Sequence, residues 1–170
     1  SADRTDIVAM LLAEGLTPDR VRMIEFGQGV NDLISGRIDA MSGYLTNEPF
    51  LLKHRGVPIH MIRPVTYGID FYGDCLFTSE AQVKNHPDRT RRFIEAGLEG
   101  WRYAMAHPEE IIELIRVKYA PQKTYEQLRF EADAMRELIV PDLVEIGHIN
   151  PGRWQNIADI YLKIGIADPQ

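Results

Sequence analysis

One cysteine in 170 residues, Cys75, leaves no partner for an internal disulfide and no thiolate set for a zinc or iron–sulfur centre. Long apolar runs are missing too, so nothing approaches the ~20 residues that cross a bilayer as a helix. Nor is there a basic stripe: 19 Lys and Arg stand against 25 Asp and Glu, a formal net charge of −6, which argues against a nucleic-acid partner. The acidity is uneven, with seven basic and eight acidic side chains in residues 1–68 and twelve and seventeen in the rest. The catalytic signatures GxSxG, GxxxxGK and HExxH are all absent. The histidines at 54, 60, 86, 107 and 148 have no metal-ligand spacing, and His86-Pro87 and His107-Pro108 read as helix starts. No catalytic residue, metal or cofactor is expected.

What is present is an ordinary globular composition, 45% hydrophobic and 26% charged, without repeats or low-complexity segments. Ile7, Val8, Leu11 and Leu12 recur at helical spacing, and Asp3 or Thr5 can cap a helix running to about Glu14. Val21 to Ile24 is a short strand pattern. A helix follows from Gly29 to Gly36, with Asn31 or Asp32 near its cap. Ile38 to Leu45 predicts a strand, Glu48 to His54 a helix, and Ile59 to Ile62 a strand stopped by Pro64. This alternation is the mark of an α/β unit with a mainly parallel sheet. Tyr72 to Thr78 predicts one more strand. After Ser79 the pattern becomes helical: Pro87 to Ala106, with Phe93, Ile94, Leu98, Trp101 and Tyr103 as its buried face, then Glu109 to Tyr119, Tyr125 to Ile139 and Pro151 to Ile164. The boundary between the two characters falls between Pro64 and Asp70.

Two stretches concentrate polar and aromatic side chains where a strand would end, the place at which open α/β sheets meet ligands. In DAMSGYLTNEPF, residues 39–50, Tyr44 offers a ring face while Asn47 and Glu48 offer an amide and a carboxylate. That set suits a small polar heterocycle or an amine. The competing reading is structural, with Asn47 capping the following helix and Glu48 complementing its dipole. In YGIDFYGDCLFT, residues 67–78, Asp70, Tyr72 and Asp74 offer two carboxylates and a ring around Gly73. A hinge would want the same residues. Glu109-Glu110, in a first helical turn, reads as a solvated pair favoured by the helix dipole.

SGRIDAMSGYLTNEPFLL, YGIDFYGDCLFTSE, HPDRTRRFIEAGLEGWRYAMAHPEEII and VEIGHINPGRWQNIADIYLKIG, in this order, resemble the second half of the NMT1/THI5-like periplasmic solute-binding domains. Within that group they are most similar to the extracytoplasmic sensor regions of bacterial diguanylate cyclases and histidine kinases. The resemblance implies a type II periplasmic binding protein-like α/β fold. Its two lobes are built on mainly parallel sheets, its C-terminal part is helical, and only part of the domain is present here. Residues 1–66 would form an α/β lobe, 67–78 a hinge and crossover strand, and 79–170 a helical part packing on the other lobe.

By position, the resemblance puts Tyr44, Asn47 and Glu48 on one wall of the cleft and Asp70, Tyr72 and Asp74 on the hinge side. Asp3 to Thr5 would stand at the first helix N-terminus, where backbone N–H groups meet an anionic or polar ligand group. The implied function is capture of a small molecule of the pyrimidine, amine or sulfonate class by cleft closure in the periplasm. The partner is either a membrane-bound signalling module or an ABC permease. The alternative is a pyrimidine-biosynthesis enzyme of the same superfamily, which carries a cysteine-rich iron motif that a chain with Cys75 alone lacks.

Overall fold

The computed structural model describes residues 5–24, 27 and 29–168. By compactness the chain divides into two units, one of residues 1–42, 59–75 and 149–170, the other of residues 43–58 and 76–148. The lobe-and-hinge scheme of 1–66, 67–78 and 79–170 describes a different object, the lobes of a whole family member, and stays a proposal.

In the first unit, helix α1 (Thr5–Ala13) packs against a 3-10 turn at Pro64–Tyr67 and against the last helix, α8 (Pro151–Lys163). A short helix, α2 (Val30–Ile34), completes it. Its core is small: Ala9, Val30, Ile69 and Ile157 are buried. Asn31 and Asp32 stand near the cap of α2 as expected, with Gly29 at the N-cap position itself. Asp32 is a buried acid ion-paired to Arg37, whose Nε donates to Oδ1 at 2.7 Å. The hydrogen bond from its guanidinium to that carboxylate raises the Arg37 pKa. Asp3 lies outside the described residues.

The second unit is helical, running α3 (Glu48–His54), α4 (Glu80–Asn85), α5 (Pro87–Ala106), α6 (Pro108–Leu114) and α7 (Tyr125–Ile139). Helix α4 was not anticipated, although Ser79-Glu80-Ala81-Gln82 is a capping-box sequence and Ser79 Oγ accepts from the Gln82 N–H. The helix expected over Glu109 to Tyr119 changes winding after Leu114 into a π-helical turn, Ile115–Tyr119. Leu52, Ile112, Leu128 and Ala134 are buried. The expected apolar face of α5 is not covered: no residue of that helix is buried, and Phe93 and Trp101 are 66% and 46% exposed.

Helix α6 also has polar links to its neighbours. The Tyr125 hydroxyl donates to Glu109 and Arg129 Nη1 reaches the same carboxylate at 2.5 Å, while Tyr103 of α5 donates to Glu110 of α6 at 2.7 Å. Glu109-Glu110 is therefore an acceptor pair that holds neighbouring helices, not merely a solvated face. Donation to these carboxylates raises the pKa of both phenols.

No strand forms among the described residues, so the strands expected at Val21–Ile24, Ile38–Leu45, Ile59–Ile62 and Tyr72–Thr78 are absent. A strand exists only through a ladder of bonds to a neighbouring segment, and no such ladder forms among the described residues. Their apolar side chains are correspondingly uncovered: Ile59, Met61, Ile62 and Leu76 are exposed, and Phe77 is 90% exposed.

Candidate functional site

The turn entering α3 is built around the Glu48 carboxylate. Its Oε2 accepts the Tyr44 backbone N–H at 2.6 Å, and its Oε1 accepts the Asn47 side-chain amide at 2.9 Å. The capping reading of Asn47 does not hold: the residue occupies the N-cap position, but its side chain makes no bond to the helix N–H groups. The amide is turned to Glu48 and to α7, where Gln127 Nε2 donates to Asn47 Oδ1 at 3.4 Å. Stacking of Phe50 on His54, with Phe130 of α7 at 5.5 Å from the Phe50 ring, holds α3 in place beside α7. Glu48 lies close over Gly43. A Cβ there would sit 3.0 Å from Glu48 Cβ, Cγ and Oε2, tighter than ordinary contact. Above this braced carboxylate the Tyr44 side chain stands 78% exposed. Chemically the turn offers a free aromatic face, a neighbouring amide, and a carboxylate whose two oxygens each keep a lone pair.

The second candidate group, in the other unit, is organised differently. Arg153, on the first turn of α8, reaches back to residues 70–72. Its Nη2 donates to Asp70 Oδ1 at 2.6 Å and to the Phe71 carbonyl at 2.9 Å, while its Nε donates to the Asp70 carbonyl at 3.1 Å. The same guanidinium lies 4.1 Å from the centre of the Tyr72 ring, which also meets Trp154 at 5.3 Å. Tyr72 Oη accepts the Asn150 N–H at 2.9 Å, and Asn150 in turn caps α8 through Oδ1 to the Gly152 and Arg153 N–H groups. Asp70 and Tyr72 are thus tied into a clasp. Asp74 is exposed beyond it, and Thr5 is a buried residue at the start of α1.

The structure therefore joins Tyr44, Asn47 and Glu48 in one turn and ties Asp70 to Tyr72 through Arg153. Sequence reading passed over Gln127, Arg153 and Gly43. Arg153 and Gln127 lie about eighty positions from their partners and carry no local signal, whereas Gly43 beside Tyr44 was a visible hint of close backbone approach. Among the described residues no group of three His, Cys, Asp or Glu side chains could hold a metal ion, and no helix is long and apolar enough to cross a membrane.

Two curated proteins align with the chain. The formylaminopyrimidine-binding protein of Halalkalibacterium halodurans is 30% identical over 109 residues, 62% of this chain and 33% of that protein. The riboflavin-binding protein RibY of Chloroflexus aurantiacus is 24% identical over 165 residues, 96% of this chain and 43% of that protein. The chain thus spans between a third and a half of the length of these relatives. It has no significant match among solved structures. The family model described as NMT1/THI5 like matches residues 1–111, which include the whole Tyr44–Glu48 turn and the Asp70–Tyr72 segment, and the chain belongs to that family.

Proposed function

We propose that this chain is part of a small-molecule binding protein and that its ligand is a planar nitrogen heterocycle held at the Tyr44–Glu48 turn. The observation that carries this reading is the turn itself: an exposed tyrosine ring beside a carboxylate braced by two donors. An aromatic face of this kind stacks on a flat ring, and a carboxylate fixed before the ligand arrives accepts a ring amino group at little further entropic cost. Tyr44, Asn47 and Glu48 are the contact residues in this reading. Asp70 and Tyr72 belong to the clasp, while Asp74 and Thr5 are secondary candidates. Both named relatives bind compounds containing a flat nitrogen ring, which favours this class over sulfonates.

The reading includes the family's two-lobed α/β architecture, a periplasmic location and closure on the ligand as the step that is transmitted. The recipient is either a membrane-bound signalling protein or an ABC permease. Recognition, not catalysis, is the proposed role. The test is thermal denaturation of the full-length protein with a formylaminopyrimidine, with riboflavin and with an alkanesulfonate. Ligand at a hundredfold excess over Kd stabilises by about 2.7 kcal/mol. A rise in Tm with either heterocycle and none with the sulfonate is expected. No shift with both heterocycles would overturn the reading.

A further inference from the structure

We infer that Gln127 is a positioning residue for the Tyr44–Glu48 turn, acting through Asn47; this rests on the function proposed above. The three polar side chains form a directional relay, in which Gln127 Nε2 donates to Asn47 Oδ1 and Asn47 Nδ2 donates to Glu48 Oε1. The direction matters because an asparagine amide has two orientations of nearly equal shape. With Nδ2 toward Glu48 the carboxylate gains a donor. With Oδ1 toward Glu48 two acceptors face each other, and the carboxylate is repelled from its place over Gly43. Nothing within Asn47 selects the first orientation. The Glu48 carboxylate favours it from one side, and Gln127, a donor on the far side of the amide, reinforces it.

Gln127 is itself well held for this task. It lies in the first turn of α7, half-buried, and its backbone N–H is bound by the Thr124 hydroxyl at 3.2 Å. The next residue, Leu128, is part of the core. The helix therefore fixes the position of the donor, and the 3.4 Å link to Asn47 is the longest of the relay. That makes it the link most easily lost by substitution.

The charge of the relay gives the inference a signature that packing alone does not have. Gln127→Glu keeps the shape but exchanges the donor for a carboxylate, which draws Asn47 Nδ2 to itself and turns Oδ1 on Glu48. The experiment measures Kd for a formylaminopyrimidine and for riboflavin in the full-length protein. Parent, Gln127→Ala, Gln127→Glu, Asn47→Ala and the Gln127→Ala/Asn47→Ala double variant are compared, with Tyr44→Ala and Glu48→Ala as references. For the heterocycle that binds, Gln127→Ala is expected to raise Kd roughly fivefold and Gln127→Glu tenfold or more at neutral pH. In the double variant Gln127→Ala should add nothing to Asn47→Ala, since its only route is gone. Unchanged affinity in both Gln127 variants, or full additivity in the double variant, overturns the positioning role. Parent-like affinity in Tyr44→Ala and Glu48→Ala instead overturns the binding site. No binding of either probe by the parent removes both.

Discussion

The Tyr44 turn and the Tyr72 clasp are made from the same materials, a tyrosine, a carboxylate and an asparagine at the approach to a helix, and they come out as opposites. In the clasp a cation from a distant helix satisfies the carboxylate, two backbone carbonyls and the ring face at once. In the turn the partners of Glu48 are a local N–H and a neutral amide, and the ring is left bare. What separates them is the arginine. A site whose carboxylate is ion-paired and whose ring is packed has less to give a ligand. One whose charge is only braced, with its ring open, has more.

The comparison breaks most readily at Arg153. Its replacement by Ala strips the donors from Asp70 and Phe71, with an expected loss of about 2 kcal/mol after allowing for the partial exposure of the pair. For a chain of this size that corresponds to a fall in Tm of roughly 4–8 °C. The clasp assignment requires ligand affinity to survive at temperatures where the variant is folded. A large loss of affinity with Tm unchanged would instead move Asp70 and Tyr72 back to the ligand.

Gly43→Ala should do the reverse. A methyl group 3.0 Å from the Glu48 side chain displaces the carboxylate by a few tenths of an ångström. An increase in Kd of about fivefold is expected with Tm little changed. Titration calorimetry and a melting curve on the same preparation decide it.

Tyr72→Phe keeps both ring contacts and removes only the acceptor for the Asn150 N–H. A cost of about 1 kcal/mol, read by urea denaturation, is expected with no effect on binding.

The smallest effect lies at the α6–α7 seam and provides a control belonging to neither region. Donation to Glu109 raises the Tyr125 pKa. A raised folded-state value means that the contribution is complete below the unfolded phenol's pKa of about 10 and is lost as pH rises through the higher folded value. The difference in Tm between the parent and Tyr125→Phe should be constant from pH 7 to 9 and shrink above that. A constant difference up to pH 11.5 contradicts it.

Helices were legible where their punctuation is local. Pro151 opens α8 and Pro87 opens α5, as the residues say. Strands were not, because the apolar runs at 38–45, 59–62 and 72–78 specify only a readiness to pair, and pairing needs a neighbour that no local pattern supplies. The same distinction governs the sites. Tyr44, Asn47 and Glu48 stand within five positions and could be grouped by eye, although the bonds among them differ from a helix cap. Asp70 and Tyr72 were visible as chemistry, but their fate depended on Arg153, about eighty residues away. The exposed face of α5 marks the same limit: its periodicity is real, and its cover is a tertiary matter.

The Trp154 packed on the clasp has an experimental use. The chain's two tryptophans are divided between the units, Trp154 on α8 in one and Trp101 on α5 in the other. With Trp101→Phe, emission reports only the surroundings of the clasp; with Trp154→Phe, only those of α5. Two single-tryptophan proteins thus turn one denaturation curve into two and read directly whether the units melt together or in sequence.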